Sequence, residues 1–131
     1  MSQENIELVY RLADALNAHE VPEFIAPDYR LENVTTAVTD KTYIGPDGWR
    51  EWMRDLFAAF ADGARFQIDE IVADGDDYAV VISSLVGRGT ASNAPLHLRW
   101  VSAVWFRDGQ MIRSTGFLKR REALEAVGLR D

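Results

Sequence analysis

The stretch RFQIDEIVADGDDYAVVISSLVGRGTASNAPLHLRWVSAVWFRDGQMIRSTGFL, residues 65–118, decides the fold. It contains two predicted pairs of β-strands. Within each pair, the two strands are separated by Asp and Gly residues that are typical of a hairpin turn. The pairs are 65–73 with 77–87, around Asp74-Gly75-Asp76, and 96–107 with 110–118, around Asp108-Gly109. We therefore expect a run of antiparallel strands in the second half of the chain.

Helical spacing of apolar residues dominates the first half. It predicts a helix from Ser2 to about Leu16, a short helix after Pro22, and a third helix over 49–60. A first strand is predicted over 29–36, and a last short helix over 119–127. Residues 1–131 are thus predicted to be one α+β domain, in which helices cover one face of a curved, mainly antiparallel sheet.

Composition excludes several classes of function. The chain of 131 residues has no cysteine and two histidines, which excludes disulfides, thiolate metal sites and a histidine-rich metal site. Its net charge of −7 makes nucleic acid an unexpected partner. The first 20 residues carry acidic charge and no continuous apolar core, so no signal peptide is expected. No window approaches the ~18 apolar residues that a membrane helix needs, so a cytoplasmic protein is expected.

Three segments resemble one family. SQENIELVYRLADALNAHEVPEFI, YIGPDGWREWMRDLF and FRDGQMIRSTGFLKRREALEAVGL resemble the SnoaL-like branch of the nuclear transport factor 2-like superfamily. The resemblance implies a cone-shaped fold in which the sheet wraps three helices around a deep apolar pocket, with a short helix at the C-terminus. The superfamily includes ketosteroid isomerases, epoxide hydrolases, polyketide cyclases and dehydratases, which need no cofactor, and members without a known reaction.

The resemblance also implies which side chains line the pocket. On strand 96–107 it places the odd positions inward, among them His97, Arg99 and Val101. The other expected pocket residues are Leu31, Asn33, Trp52, Leu56, Phe57, Phe60, Ile82, Ser84, Val86, Ser114, Gly116 and Leu118. The even positions Leu98, Trp100, Val104 and Phe106 would then form an apolar outer face, which predicts a homodimer through that face.

The family's catalytic carboxylates are not matched here. Where the epoxide hydrolases have an Arg and two Asp, this chain has Ile82, Ser84 and Gly116. Where ketosteroid isomerases have an Asp base, it has Asn33. Neither reaction is expected, because these side chains cannot accept a proton as the carboxylates do.

Arg99 as an electrophile, Asn33 as a residue that orients a substrate, and His97 as a base are the remaining catalytic candidates. Alternatives stay open for each of them. A buried Arg99 needs a partner: Glu70, another carboxylate or an anionic ligand, unless the register differs and Arg99 points to solvent. Asn33 could instead satisfy backbone groups, and His97 could lie at the rim of the pocket.

Two functions from different classes follow. The first is an enzyme that performs cofactor-free isomerisation, cyclisation, dehydration or hydrolysis on a small hydrophobic, oxygen-bearing molecule. The second is a ligand-binding or accessory domain without turnover. A histidine or carboxylate beside the pocket would favour the enzyme, whereas a filled pocket or a fully paired Arg99 would favour the binding domain.

Overall fold

The computed structural model describes residues 3–33 and 41–129, which form three helices and one six-stranded sheet. In chain order the elements are α1 (Gln3–Asn17), β1 (Ile25–Asn33), β2 (Thr42–Ile44), α2 (Gly45–Phe57), β3 (Arg65–Asp74), β4 (Tyr78–Arg88), β5 (Pro95–Arg107), β6 (Gln110–Phe117) and α3 (Arg120–Ala126). The predicted α+β class is confirmed.

The strands lie in the order β2-β1-β6-β5-β4-β3, and all neighbours are antiparallel except β1 and β6. Both predicted hairpins are present, β3–β4 and β5–β6. The second hairpin turns through Asp108 and Gly109, whose φ angles of 52° and 74° are the left-handed geometry that an Asp-Gly turn favours.

The two faces of the sheet have different coverings. The inner face packs against α1 and α2, and this main core includes Val9, Leu16 and Trp49 from the helices. The outer face carries α3, whose Ala123 and Leu124 pack on a second apolar cluster. Long β-strands in the middle of the sheet are therefore buried on both faces over part of their length.

The predicted short helix after Pro22 is wrong, because residues from Ile25 onward belong to β1. Ile25 pairs with Met111 of β6, and the Met111 N–H donates to the Phe24 carbonyl oxygen at 2.8 Å. This pairing satisfies the backbone groups that a helix would otherwise have used. The predicted end of the strand, residues 34–36, lies outside the described residues.

Helix α2 begins earlier than the apolar stripe predicts. Gly45 starts the helix with a φ of +68°, and a Cβ on this residue would lie 2.8 Å from the Pro27 carbonyl oxygen. Only glycine combines that backbone conformation with so close an approach. Pro46 then occupies the first turn, where its missing N–H costs no hydrogen bond.

Candidate functional site

A cavity of about 50 Å³ lies between the two covering helices and the inner face of the sheet. We call it the inner cavity. Most of its wall is apolar, and the aromatic residues of that wall are Tyr29, Trp49, Trp52, Phe66 and Trp100. Three hydroxyl groups, those of Ser83, Ser102 and Ser114, are the short polar side chains among the lining residues.

The described wall carries no carboxylate, histidine or cationic side chain. Tyr29 is its one titratable group, and burial raises the pKa of Tyr29 far above its ordinary value, an effect that the nearby Ser114 hydroxyl only partly opposes. The phenol is therefore a neutral hydrogen-bond donor at physiological pH. The inner cavity offers neutral hydroxyl and indole groups to whatever enters it.

Some of the expected pocket residues lie in this wall. Leu31, Trp52, Ser114 and Gly116 line the inner cavity. Leu56, Phe57 and Phe60 belong to the surrounding core, but not to the cavity lining. Leu118 is 67% exposed and follows the end of β6, so it does not reach the cavity.

The face predicted for β4 and β5 is wrong. The inner cavity is lined by Val81 and Ser83 of β4 and by the even positions Trp100, Ser102 and Val104 of β5. The reason is the register, in which Val104 pairs with Ser114 and therefore shares its face. The expected pocket residues that lie on the outer face instead are Ile82, Ser84, Val86, His97, Arg99 and Val101.

The four residues predicted to form the homodimer surface do not lie on the outer face, for the same reason of register. Trp100 and Val104 line the inner cavity, and Phe106 is a core residue with 4% of its surface exposed. Leu98 pairs with the fully buried Leu85 and shares the inner face. These four residues thus do not form an outer face, and the homodimer itself stays a prediction.

On the outer face, Ser84 joins Asp69 to His97. The Ser84 hydroxyl donates to Asp69, while His97 Nε2 lies 2.9 Å from Ser84 Oγ. Because Ser84 has a single proton and gives it to the carboxylate, the contact with His97 needs an N–H from the imidazole. This direction is the reverse of the one that activates a serine nucleophile, where the histidine accepts.

Arg99 forms an ion pair with the carboxylate of Asp69. Its Nε lies 3.8 Å from Asp69 Oδ2, and its side chain is 60% exposed. The pKa of Asp69 is lowered, mainly by the hydrogen bond from Ser84. The hydrogen bond from Gln67 and the charges of Arg99 and His97 lower it further, whereas desolvation of the carboxylate raises it. Glu70, the expected partner, lies 3.7 Å from Arg120 instead.

The three catalytic candidates are not brought together at the inner cavity. His97 and Arg99 lie on the outer face, and Asn33 ends β1 beside Gly116, with its side chain outside the described part of the chain. Within residues 3–33 and 41–129, no cluster of three or more His, Asp or Glu side chains could hold a metal ion. No helix in the same ranges is long and apolar enough to cross a membrane.

Sequence reasoning missed Ser83, Ser102 and Trp100 as lining residues. The signal that could have found them is the pair of polar residues His97 and Arg99 on β5. Charged side chains mark the solvent face of a strand, so they place the even positions inward.

Comparison with known proteins gives the family and the fold. The profile of the SnoaL-like domain family matches residues 6–114. A comparison with curated proteins found no match. A candidate SnoaL-like polyketide cyclase from Jannaschia sp. CCS1 has a TM-score of 0.71 at 20% identity, with 89% of this chain and 88% of that chain covered.

Two further structures are similar at the same level. TerC, co-crystallized with polyporic acid, has a TM-score of 0.72 at 18% identity and covers 89% of this chain and 92% of its own. An NTF2-like protein of unknown function from Burkholderia pseudomallei K96243 has a TM-score of 0.72 at 19% identity and covers 98% and 99%. At these identities the similarity establishes the fold alone.

Proposed function

Since this chain belongs to the SnoaL-like domain family, we propose that it binds a small, neutral, largely apolar molecule in the inner cavity. One observation carries the proposal, namely that the described wall is aromatic and aliphatic and holds no charged side chain. Such a wall is the usual environment of a small-molecule pocket, where a few polar groups fix the orientation of the ligand.

Neutrality of the ligand follows from the cost of desolvation. An ion that enters a wall without a counter-charge loses its hydration and gains little in return. Arg99, the cation that could have balanced an anionic ligand, lies on the outer face beside Asp69. A neutral molecule carries no such penalty, and its apolar surface is stabilised by burial at roughly 25 cal/mol per Å².

The size of the inner cavity requires the wall to move. A volume of about 50 Å³ holds no more than a few water molecules. Leu12, Trp52 and Trp100 are half-buried lining residues and contact both the cavity and solvent. We expect these three side chains to rotate outward when a ring-sized ligand enters.

The described residues of the inner cavity support ligand binding rather than acid–base catalysis. Acid–base turnover would need a group that gains or loses a proton near neutral pH beside the ligand, and Tyr29, with its raised pKa, supplies only a neutral donor. Cyclase or isomerase chemistry is the second candidate, favoured by the family and by the name of the Jannaschia protein. The cytoplasmic location also stays a prediction.

Thermal unfolding with three small ligands tests the proposal. Acetophenone and α-methylstyrene are neutral, and benzoate is an anion of similar size. A ligand at ~100 times its dissociation constant stabilises the folded state by about 2.7 kcal/mol, which raises Tm visibly. We expect both neutral ligands to raise Tm and benzoate to leave it unchanged.

A pair of variants locates the binding. Ser83→Leu fills the inner cavity and should abolish the shift in Tm, whereas Val86→Leu adds bulk to an exposed position on the outer face and should leave it intact. Recovery of the ligand by mass spectrometry after incubation separates binding from turnover. Equal shifts for benzoate and acetophenone, or equal behaviour of the two variants, would contradict the proposal.

A further inference from the structure

Two hydrogen-bond donors are buried in the wall of the inner cavity without a partner. They are the Tyr29 hydroxyl and the Trp49 indole N–H, and neither has a hydrogen-bond acceptor among residues 3–33 and 41–129. Tyr29 is 0% exposed and Trp49 is 1% exposed, so bulk water does not satisfy them. Both residues line the inner cavity.

The two donors come from different elements and are neighbours. Tyr29 lies on β1 and Trp49 on α2, and their rings meet edge to face with centroids 5.9 Å apart and an interplanar angle of 61°. The Ser114 hydroxyl on β6 lies near enough to Tyr29 to oppose part of the rise in its pKa, but it forms its hydrogen bond to Met111 Sδ, at 3.7 Å, and none to the phenol. The packing of the core thus brings two residues with unpaired donors into contact through their rings.

Unpaired buried donors are rare in folded proteins because each costs free energy comparable to a lost hydrogen bond. The indole N–H can only donate, and a buried phenol that stays protonated supplies a second donor. A group that satisfies both must be an acceptor. A carbonyl oxygen has two lone pairs and no hydrogen, whereas a hydroxyl brings a further donor that needs its own acceptor.

We propose that Tyr29 and Trp49 form a donor pair that selects ligands with a carbonyl oxygen, such as ketones, quinones and esters, over hydrocarbons of the same shape. The inference rests on the proposed function, because it concerns the polar contacts of a ligand in the same inner cavity. The ring of such a ligand lies against Trp52, whose own ring centroid is 4.9 Å from that of Trp49.

Acetophenone and α-methylstyrene test this selection because they differ only in a C=O against a C=CH₂ group. Calorimetric titration should give a dissociation constant three- to tenfold lower for acetophenone, the range that one hydrogen bond supplies. Tyr29→Phe removes only the hydroxyl, and should abolish most of this preference. Tyr10→Phe, at a position that is 52% exposed, is the matched control and should keep it.

The indole N–H signals give a readout that needs no variant in the binding experiment. In ¹H–¹⁵N spectra of the labelled protein, the Trp49 signal, assigned with Trp49→Phe, should move downfield on titration with acetophenone and not with α-methylstyrene. Trp105 is an internal reference, since it lies on the outer face with Arg113 4.9 Å from its ring.

The outcomes separate the two proposals. A preference for acetophenone that Tyr29→Phe removes, together with the Trp49 shift, supports the donor pair. Equal affinities for both ligands, with no downfield shift at Trp49, would overturn the donor pair and leave the proposed function standing. If neither ligand binds, the proposed function fails, and the donor pair fails with it.

Discussion

Asn17 binds the edge strand β3 at Phe66 through both ends of its amide. Asn17 Nδ2 donates to the Phe66 carbonyl oxygen at 2.9 Å, and the Phe66 N–H donates to Asn17 Oδ1 at 2.8 Å. The side chain thus takes the place of a neighbouring strand on backbone groups that an edge would leave open. It also fixes the end of α1, which helps to wall the inner cavity, against the sheet.

Asn17→Ala should lower the free energy of unfolding by about 1–3 kcal/mol, because it leaves two partly buried backbone groups of Phe66 without partners. Urea denaturation measures the change. Gln3→Ala, at an exposed position near the start of the same helix, is the control and should stay within about 0.5 kcal/mol of the parent. Equal effects of the two substitutions would show that the bonds to Phe66 contribute nothing to stability.

Gly48→Ala tests the packing of α2 on β2. A Cβ at this position would lie 2.8 Å from the carbonyl carbon of Tyr43, which is backbone and cannot rotate away. Helix propensity alone predicts a gain of roughly 1 kcal/mol, but the clash should outweigh it and give a net loss of about 1–2 kcal/mol.

The comparison for Gly48→Ala is Gly89→Ala, where the added methyl would meet Ser92 Oγ at an ordinary 3.5 Å. We expect little change there when thermal unfolding is followed by circular dichroism. A stabilised Gly48→Ala would contradict the close approach of α2 to Tyr43.

The outer-face carboxylate makes stability depend on pH in the acid range. The Ser84 hydrogen bond and its neighbours lower the pKa of Asp69, so the folded state releases this proton more readily than the unfolded chain. Its stabilisation is complete above the unfolded pKa of about 3.9 and is lost as the pH falls through the lower, folded pKa.

Asp69→Asn should therefore flatten the fall of Tm as the pH is lowered below the unfolded pKa of about 3.9, because the variant has no carboxylate at this position to protonate. Asp62→Asn, in an exposed loop, is the control and should follow the parent curve. An unchanged acid slope in Asp69→Asn would mean that the bonds to Ser84 and Gln67 do not hold the carboxylate in solution.

Arg99→Leu separates the two faces of the sheet. Because the Arg99 guanidinium is 60% exposed and contacts Asp69, its loss should change stability by less than about 1 kcal/mol. The affinity for acetophenone should stay within about twofold of the parent, since a surface substitution remote from a ligand leaves its contacts unchanged. Loss of acetophenone binding in this variant would show that Arg99 contributes to the ligand site, which contradicts its position on the outer face.

The sequence carried enough information for the hairpins. The segments around Asp74-Gly75-Asp76 and Asp108-Gly109 combine turn residues with flanking apolar strands, and both signals are local. The apolar stripe of α2 is also a local signal and predicted the helix. The start of the helix at Gly45 could not be predicted in this way, because it involves a close approach to the Pro27 carbonyl oxygen. Ile25 belongs to β1 because of its parallel pairing with β6, and no nearby residue reveals a partner so distant in the chain.

The face of β5 could not be predicted from apolarity. Val101 and Ala103 are buried on the outer face, Val101 in the cluster beneath α3, while on the inner face Val104 is buried and Trp100 is half-buried. A strand with both faces covered loses the alternation that reveals its orientation. The register of β3 shifts between Ile68 and Glu70 and again between Ile71 and Ala73. Each shift adds a residue to the strand, so simple alternation along the sequence does not give the face of the residues beyond it.

The most direct test of the account is to map where acetophenone binds by ¹H–¹⁵N spectra of the backbone amides. If the ligand occupies the inner cavity, the largest shifts fall on residues of its wall, including Trp49, Ser83 and Ser102. Shifts concentrated on Ser84, His97 and Arg99 would place the ligand on the outer face and contradict the account.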